Sequence, residues 1–309
     1  MPSGRFAPSP SGRLHVGNLR TALVAWLAAR SSGSPFVIRM EDLEQSRVRP
    51  EFYRQQLDDL AAIGLDWDGE VVRQTDRRPR YDAALGRLIE AQRTYPCFCS
   101  RRDIREAGEA PHGQPGRYPG TCRSLTATEV AAKLAAGRTP ALRLDAKAAL
   151  ASYHDELLGE LAGAVDDVVL QRNDGMPSYN LVVVIDDEAQ DIDLVVRGSD
   201  LALPTLAQVY LGQLLGYRRP RYAHVPLVFG PTGNRLAKRD GAVTLDDRRE
   251  VGESPLDVVS FLAHSLGLCE ANERVWPADL VGSFDLGQIP REPLTLGASY
   301  LAGERSTPR

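Results

Sequence analysis

The sequence predicts an α/β protein: a parallel sheet with crossover helices, interrupted midway by a segment of different texture. Three observations carry this. Residues 5–18 run from an apolar strand through a turn of Pro, Ser and Gly into an apolar-periodic stretch, Leu19 to Ala29, giving strand, turn and helix in succession. The rest of the first third keeps alternating strand and helix, which implies parallel pairing. From Tyr95 the periodicity is lost, and residues 96–123 are rich in Pro, Gly, Cys and Arg.

Each element has a local reason. Pro35 to Met40 is a short apolar strand. Pro50 to Ile63 reads as a helix opened by a proline, whose fixed φ suits a first turn, and closed by Gly64. Asp76 to Gln92 is a second amphipathic helix. In the middle segment a helix starts at Thr128 and ends at Gly137, and strands are expected at Ala141 to Leu144 and Asp166 to Gln171. The sheet is expected to resume at Tyr179 to Asp186 and Ile192 to Val196, followed by a helix at Pro204 to Leu215. Beyond Gly241 the signal is helical to about Leu268 and weakly patterned after that, and no internal repeat is visible.

A chain of 309 residues exceeds the usual single-core size, so one large or two to three small domains are expected. Hydrophobic and charged contents of 43% and 25% exclude disorder throughout. The N-terminus carries no apolar core of signal-peptide length. The longest aliphatic run, Leu181 to Ile185, is too short to cross a bilayer, so no membrane partner and a cytoplasmic location are expected. A net charge of -4 does not advertise a nucleic-acid binder. The arginine pairs Arg101-Arg102, Arg218-Arg219 with Arg221, and Arg248-Arg249 read as solvated faces, so charge neither supports nor excludes an RNA partner.

Two segments point to phosphate chemistry. The start of the first helix offers unpaired N–H groups and the positive end of its dipole to a phosphate chain, with Gly17 allowing close approach and His15 able to donate. More than two hundred residues later, Gly230 to Gly241 is a glycine-bounded basic loop holding Lys238, one of only three lysines in the chain. A lysine is a compact point charge suited to a moving phosphate.

Together these segments resemble the paired signatures of class I aminoacyl-tRNA synthetases. His15-Val16-Gly17-Asn18 is similar to the HIGH motif, with Asn18 for its last histidine. Arg235-Leu236-Ala237-Lys238-Arg239 is similar to KMSKS, with Ala237 for serine and arginines for the outer lysines. Arg5 to Ser9, Ile38 to Asp42, Tyr179 to Asp187 and Val196 to Leu201 resemble the glutamyl subgroup, and the resemblance covers roughly residues 4 to 245.

The resemblance implies a Rossmann-like catalytic core in two halves, 1–94 and 179–245. It also implies an inserted zinc-containing α+β domain at 95–178 and a short helical region at 246–309. ATP, with Mg2+, would be held by His15, Gly17, Asn18 and Lys238, with His15 and Lys238 catalytic. The glutamate pocket would use Arg5, Phe6, Ala7, Pro8, Ser9, Glu41, Tyr179 and Arg197. Arg5 and Arg197 would pair the side-chain carboxylate, Glu41 would pair the ammonium, and Tyr179 and Ser9 would donate hydrogen bonds. In the glutaminyl relatives the position of Arg197 is not an arginine, which favours glutamate.

Cys97, Cys99 and Cys122 lie in one irregular segment, and clustered thiols in a cytosolic chain point to metal more than to a disulfide. Three thiolates leave a fourth zinc position open. Ligand chemistry favours His112 there, because imidazole binds zinc well and a phenol does not. The Cys-x-Cys and Tyr-x-x-x-Cys pattern is instead similar to the glutamyl-queuosine tRNA(Asp) synthetases, shortened relatives of glutamyl-tRNA synthetase, in which Tyr118 would be the fourth ligand. Cys269 reads as a core thiol on a periodic helix.

Only about 68 residues follow Gly241, too few for a further domain of typical size, so no anticodon-binding domain is expected. The partners implied are L-glutamate, ATP and tRNA(Asp) containing queuosine, with the chain a monomer. Three alternatives stay open at this point: a truncated enzyme charging the 3′ end of tRNA(Glu), a small nucleotidylyltransferase with the same phosphate turn, and a catalytically silent RNA-binding paralogue.

Overall fold

Strand β1 (Ser3–Phe6), helix α1 (Val16–Ser31) and strand β2 (Phe36–Met40) form the first crossover unit in the computed structural model, which describes residues 3–109, 117–233 and 243–301. β1 and β2 run parallel, with Gly4, Arg5 and Phe6 opposite Phe36, Val37 and Ile38. At Gly4 the sheet lies directly against α1. A Cβ there would lie 2.8 Å from that of Ala29, so only glycine permits the approach. α1 is buried nearly all round, from Leu19 through Ala29, as its even apolar composition requires.

Helix α2 (Pro50–Ala62) begins with its proline, and β3 (Val72–Arg73) extends the sheet beside β2. Helix α3 (Arg78–Glu90) follows. Next come β4 (Thr94–Cys97), α4 (Arg101–Glu109), α5 (Ala127–Ala135), β5 (Ala141–Leu144), the hairpin β6 (Leu150–Asp155) and β7 (Gly159–Ala164), and β8 (Val169–Gln171). Helix α6 (Tyr179–Ala189), β9 (Ile192–Gly198), α7 (Thr205–Leu215), β10 (Arg221–Val225) and β11 (Val228–Phe229) complete the central part. The chain then gives α8 (Leu245–Glu250), α9 (Pro255–Ser265), α10 (Pro277–Leu280), β12 (Leu294–Thr295) and α11 (Ala298–Leu301).

The main sheet has seven strands in the order β3-β2-β1-β9-β10-β6-β7. All are parallel to their neighbours except β7, which returns antiparallel to β6 at one edge. β4, β5 and β8 form a separate antiparallel sheet. The segment 95–178, expected as one inserted unit, is therefore divided between two sheets, because its hairpin joins the main one at Tyr222 and Asp155.

Three expectations are corrected. Tyr179 to Asp186 is helix, not strand: a short apolar run fits either, and here Leu181, Val182, Val183 and Ile185 all turn into a core built with α3 and α7. The pair Arg248-Arg249 is not a solvated face, since Arg248 is buried and bonded to Glu253 (2.5 and 2.8 Å) and to the carbonyl of Tyr300 (2.8 Å). Cys269 lies past the end of α9, not on it, although its half-buried thiol does pack against the main core as expected. The region after β11 packs Val258, Leu262 and Tyr300 into the same core as α1.

Candidate active site

A cleft of about 480 Å3 opens beside the carboxyl ends of β1 and β9 and the N-terminus of α1. That is where ligands bind on parallel sheets. Its lining includes Arg5, Phe6, Ala7, Pro8, Ser9, His15, Gly17, Asn18, Glu41, Tyr179 and Arg197, so the described residues expected to hold glutamate or ATP are brought together. Lys238 lies outside the described residues. The chain next described after it is tied to the same cleft: the Val16 N–H donates to the Val243 carbonyl (2.9 Å), His15 and Thr244 form a bridge, and Arg13 pairs with Asp246.

His15 is the N-cap of α1 through its ring. Nδ1 accepts from the N–H groups of Gly17 (3.1 Å) and Asn18 (3.3 Å), and the Asn18 Oδ1 accepts in return from the His15 N–H (3.2 Å). With Nδ1 fixed as acceptor, a neutral ring carries its proton on Nε2 and can donate there. Gly17 makes room for this ring, because a Cβ would lie 3.0 Å from its Cε1 and Nδ1. Asn18, at the position of the motif's last histidine, is thus a capping residue.

Arg197 rises from β9, buried and 6% exposed, without a carboxylate among its hydrogen-bond partners in the described residues. Its Nε donates to His224 Nε2 (3.2 Å), Nη1 to the Tyr179 hydroxyl (3.3 Å), and Nη2 to Thr205 Oγ1 and Gln208 Oε1 (both 2.6 Å). Four of the five N–H groups are held by neutral acceptors, so a buried positive charge is oriented without a carboxylate bonded to it, Asp187 acting on it only at longer range. Arg5 is fixed by the Val196 carbonyl (2.9 Å) and by Asp187 (3.4 Å).

Asp187 in turn pairs with Arg39 (2.8 Å), which also reaches Glu41 (3.2 Å) and Asp186 (3.7 Å). Burial pushes the Glu41 carboxyl above its usual range and Asp187 adds to this, while Arg39 and Arg5 oppose it. An ammonium arriving beside Glu41 would favour its charged form.

In the separate sheet the sulfurs of Cys97, Cys99 and Cys122 lie within 4.8 Å of one another. The Tyr118 hydroxyl stands 3.4 Å from Cys97 Sγ and 3.7 Å from Cys99 Sγ, and accepts from the Cys122 N–H (2.8 Å). Cys99 and Cys122 sulfurs are 3.5 Å apart, well beyond a disulfide bond. Tetrahedral zinc with bonds of about 2.3 Å would set sulfurs roughly 3.8 Å apart, so the cluster fits such an ion with little adjustment. His112 lies outside the described residues. Arg143 bears on the cluster as well, with Nε 3.2 Å from Cys97 Sγ and its guanidinium 3.8 Å above the Tyr118 ring.

A family model described as the catalytic domain of class I tRNA synthetases (E and Q) matches residues 3–277. The chain belongs to that family. It is 55% identical to a glutamyl-Q tRNA(Asp) synthetase of Nocardia farcinica over 95% of this chain and 93% of that one. It is 44% identical to one of Symbiobacterium thermophilum over 97% of both. Among solved structures, a glutamate tRNA ligase from Elizabethkingia meningosepticum in complex with its amino acid superposes with a TM-score of 0.82 at 26% identity. That match spans 97% of this chain and 68% of the other.

The synthetase is accordingly a ligase of the aminoacyl-tRNA type on a Rossmann-like α/β fold. Such activation needs no side-chain nucleophile, because the amino-acid carboxylate itself attacks the α-phosphate of ATP. Catalysis is then positioning plus stabilisation of charge on the phosphates, tasks suited to a helix N-terminus and a ring N–H. No helix among the described residues is long and apolar enough to cross a membrane.

Sequence reasoning missed the groups that hold the cleft. Thr205, Gln208 and His224 orient Arg197, and Asp155 bonds His224 Nδ1 at 2.6 Å with both side chains fully buried. The signal available for the last pair was a histidine inside an otherwise apolar strand, Tyr222 to Val225. Burial and the nearby Arg197 and Arg5 hold His224 below its ordinary pKa, against Asp155.

Proposed function

We propose that the synthetase activates L-glutamate with ATP and Mg2+ to glutamyl-adenylate and transfers glutamate to the queuosine base at the first anticodon position of tRNA(Asp). The observation that carries the glutamate assignment is the buried guanidinium of Arg197, with no carboxylate among its hydrogen-bond partners in the described residues, in the cleft that also holds Arg5 and Glu41. A substrate with two carboxylates and one ammonium complements that set. Neutral glutamine would leave the guanidinium buried without its counter-charge, a penalty that separates substrates strongly.

For the acceptor, support comes from the relatives. Those named for glutamyl-Q tRNA(Asp) match along nearly their whole length, whereas the glutamate tRNA ligase of known structure extends well beyond the match. The roles proposed are substrate carboxylate binding by Arg5 and Arg197, ammonium pairing by Glu41, hydrogen bonding by Tyr179 and Ser9, and phosphate contacts by His15, Gly17, Asn18 and Lys238. A structural zinc on Cys97, Cys99 and Cys122, completed by Tyr118, would hold the small sheet together. We place the enzyme in the cytoplasm as a monomer.

The test is labelled glutamate transfer to tRNA(Asp) with and without queuosine, and to tRNA(Glu), alongside glutamate-dependent exchange of pyrophosphate into ATP. Transfer only to queuosine-containing tRNA(Asp) is expected. Charging of tRNA(Glu), or indifference to queuosine, would refute the acceptor, and absence of exchange would refute activation.

A further inference from the structure

We infer that Asp155 and His224 are positioning residues that fix the orientation of Arg197, and through it the preference for an anionic over a neutral amino-acid side chain. This rests on the assignment of the cleft to glutamate.

The argument follows the protons. Asp155, at the end of β6, is fully buried, and its Oδ2 lies 2.6 Å from Nδ1 of the fully buried His224. A carboxylate only accepts, so the ring proton sits on Nδ1 and the Nε2 lone pair faces outward. What it faces is Arg197 Nε, 3.2 Å away. The Thr205 hydroxyl, also 3.1 Å from Nε2, donates to the Leu201 carbonyl at 2.7 Å, which leaves Nε2 to the arginine.

Gln208 is oriented in the same manner. Its Nε2 donates to Asn180 Oδ1 (3.0 Å), so its Oε1 turns to Arg197 Nη2. The guanidinium is thus held in one plane, and one N–H remains on Nη1, the nitrogen that touches Tyr179 at the cleft. The other tautomer would set Nε2–H against Nε–H, two donors in contact, and the guanidinium would have to leave that plane.

Asp155→Asn separates this from general support of the fold. Asp155 Oδ1 accepts from the N–H groups of Leu157 and Leu158 at 3.0 Å each and from the His224 N–H at 3.2 Å, and the asparagine carbonyl can keep all three bonds, losing only the second reach of the His224 N–H to Oδ2 at 3.1 Å. Its amide then stands where Oδ2 was and donates to Nδ1, which moves the ring proton to Nε2. The expected result is a KM for glutamate raised by about 10- to 100-fold, the loss of one hydrogen bond at a charged group, with KM for ATP and thermal unfolding close to wild type. The preference for glutamate over glutamine in pyrophosphate exchange should fall with it. Nitrogen-15 spectra of the His224 ring should show the proton on Nδ1 in the wild type and on Nε2 in the variant.

His224→Gln, whose carbonyl can still accept from Arg197, should retain more of the glutamate affinity than His224→Leu. This pair decides the matter if Asp155→Asn fails to fold. A wild-type ring protonated on Nε2 would overturn the inference, as would an unchanged glutamate KM and selectivity in a variant whose tautomer has switched. So would equal losses in His224→Gln and His224→Leu. If the wild-type protein showed no glutamate-dependent exchange, the assignment of the cleft would fall, whereas the nitrogen spectra, recorded without substrate, would still report the tautomer.

Discussion

Gly17→Ala should uncouple catalysis from stability. The added Cβ would meet His15 Cε1 and Nδ1 at 3.0 Å and Val228 Cβ at 3.4 Å, so the ring must give way by a few tenths of an ångström or more. Its bond from the Asn18 N–H is already 3.3 Å long and is the first to be lost. Losing cap bonding costs about 1 kcal/mol. Against this, alanine gains about 0.8–1 kcal/mol over glycine inside a helix, and Gly17 is the second residue of α1. The two nearly cancel, so Tm should move by less than about 4 °C.

The catalytic consequence does not cancel. Nε2 moves with the ring, and because a misplacement of a catalytic group by about 1 Å costs roughly 100-fold, a shift of a few tenths of an ångström in the role proposed for His15 should lower exchange by about 4- to 10-fold. Thermal unfolding and glutamate-dependent pyrophosphate exchange, measured on one preparation, check both halves. Exchange within about twofold of wild type would refute the role given to the His15 ring, and a Tm drop well beyond about 4 °C would show that the contact with Val228 dominates instead.

Lys238→Ala should lower adenylate formation by about 100-fold or more while leaving glutamate affinity nearly unchanged, and single-turnover adenylate assays read this directly. Elemental analysis of protein purified without chelator should find one zinc per chain in the wild type and none in Cys122→Ser. Comparing Tyr118→Phe with His112→Ala then identifies the fourth ligand. Asp59, buried on α2 with no hydrogen-bond partner for its Oδ2 among the described residues, has its pKa raised to about 6 by burial and by Asp246. The folded state therefore holds this proton more tightly than the unfolded chain, and stability falls as pH rises from about 4 to 6. Asp59→Asn should stabilise the protein at pH 7 by about 2–3 kcal/mol and have little effect below pH 4, measured by urea unfolding at both.

The elements that could be read from the sequence are those whose signal is local. Helix α2 announces itself by Pro50, strand β5 falls at the expected Ala141 to Leu144, and the turn from β1 to α1 carries its own glycine and cap. The hairpin β6–β7 escaped notice because Leu-Ala-Ser-Tyr-His-Asp and Gly-Glu-Leu-Ala-Gly-Ala lack β-branched residues, and its place in the sheet is set by tertiary pairing.

The same division runs through the site. Residues that would touch substrate sit in short recognisable segments. Their supports pair across long separations: Asp155 with His224, Arg39 with Asp186 and Asp187, Gln74 with Asp186. On the sequence alone, the adjacent carboxylates at 186 and 187 stand at the end of what reads as a strand, and only folding turns them inward.

The strap joining Val243, Thr244 and Asp246 to the start of α1 braces the helix end that lines the cleft from a part of the chain more than two hundred residues away. Thr244 and Asp246 also open α8, as its N-cap and in its first turn, so a change in how the C-terminal helices pack is felt at the mouth of the cleft.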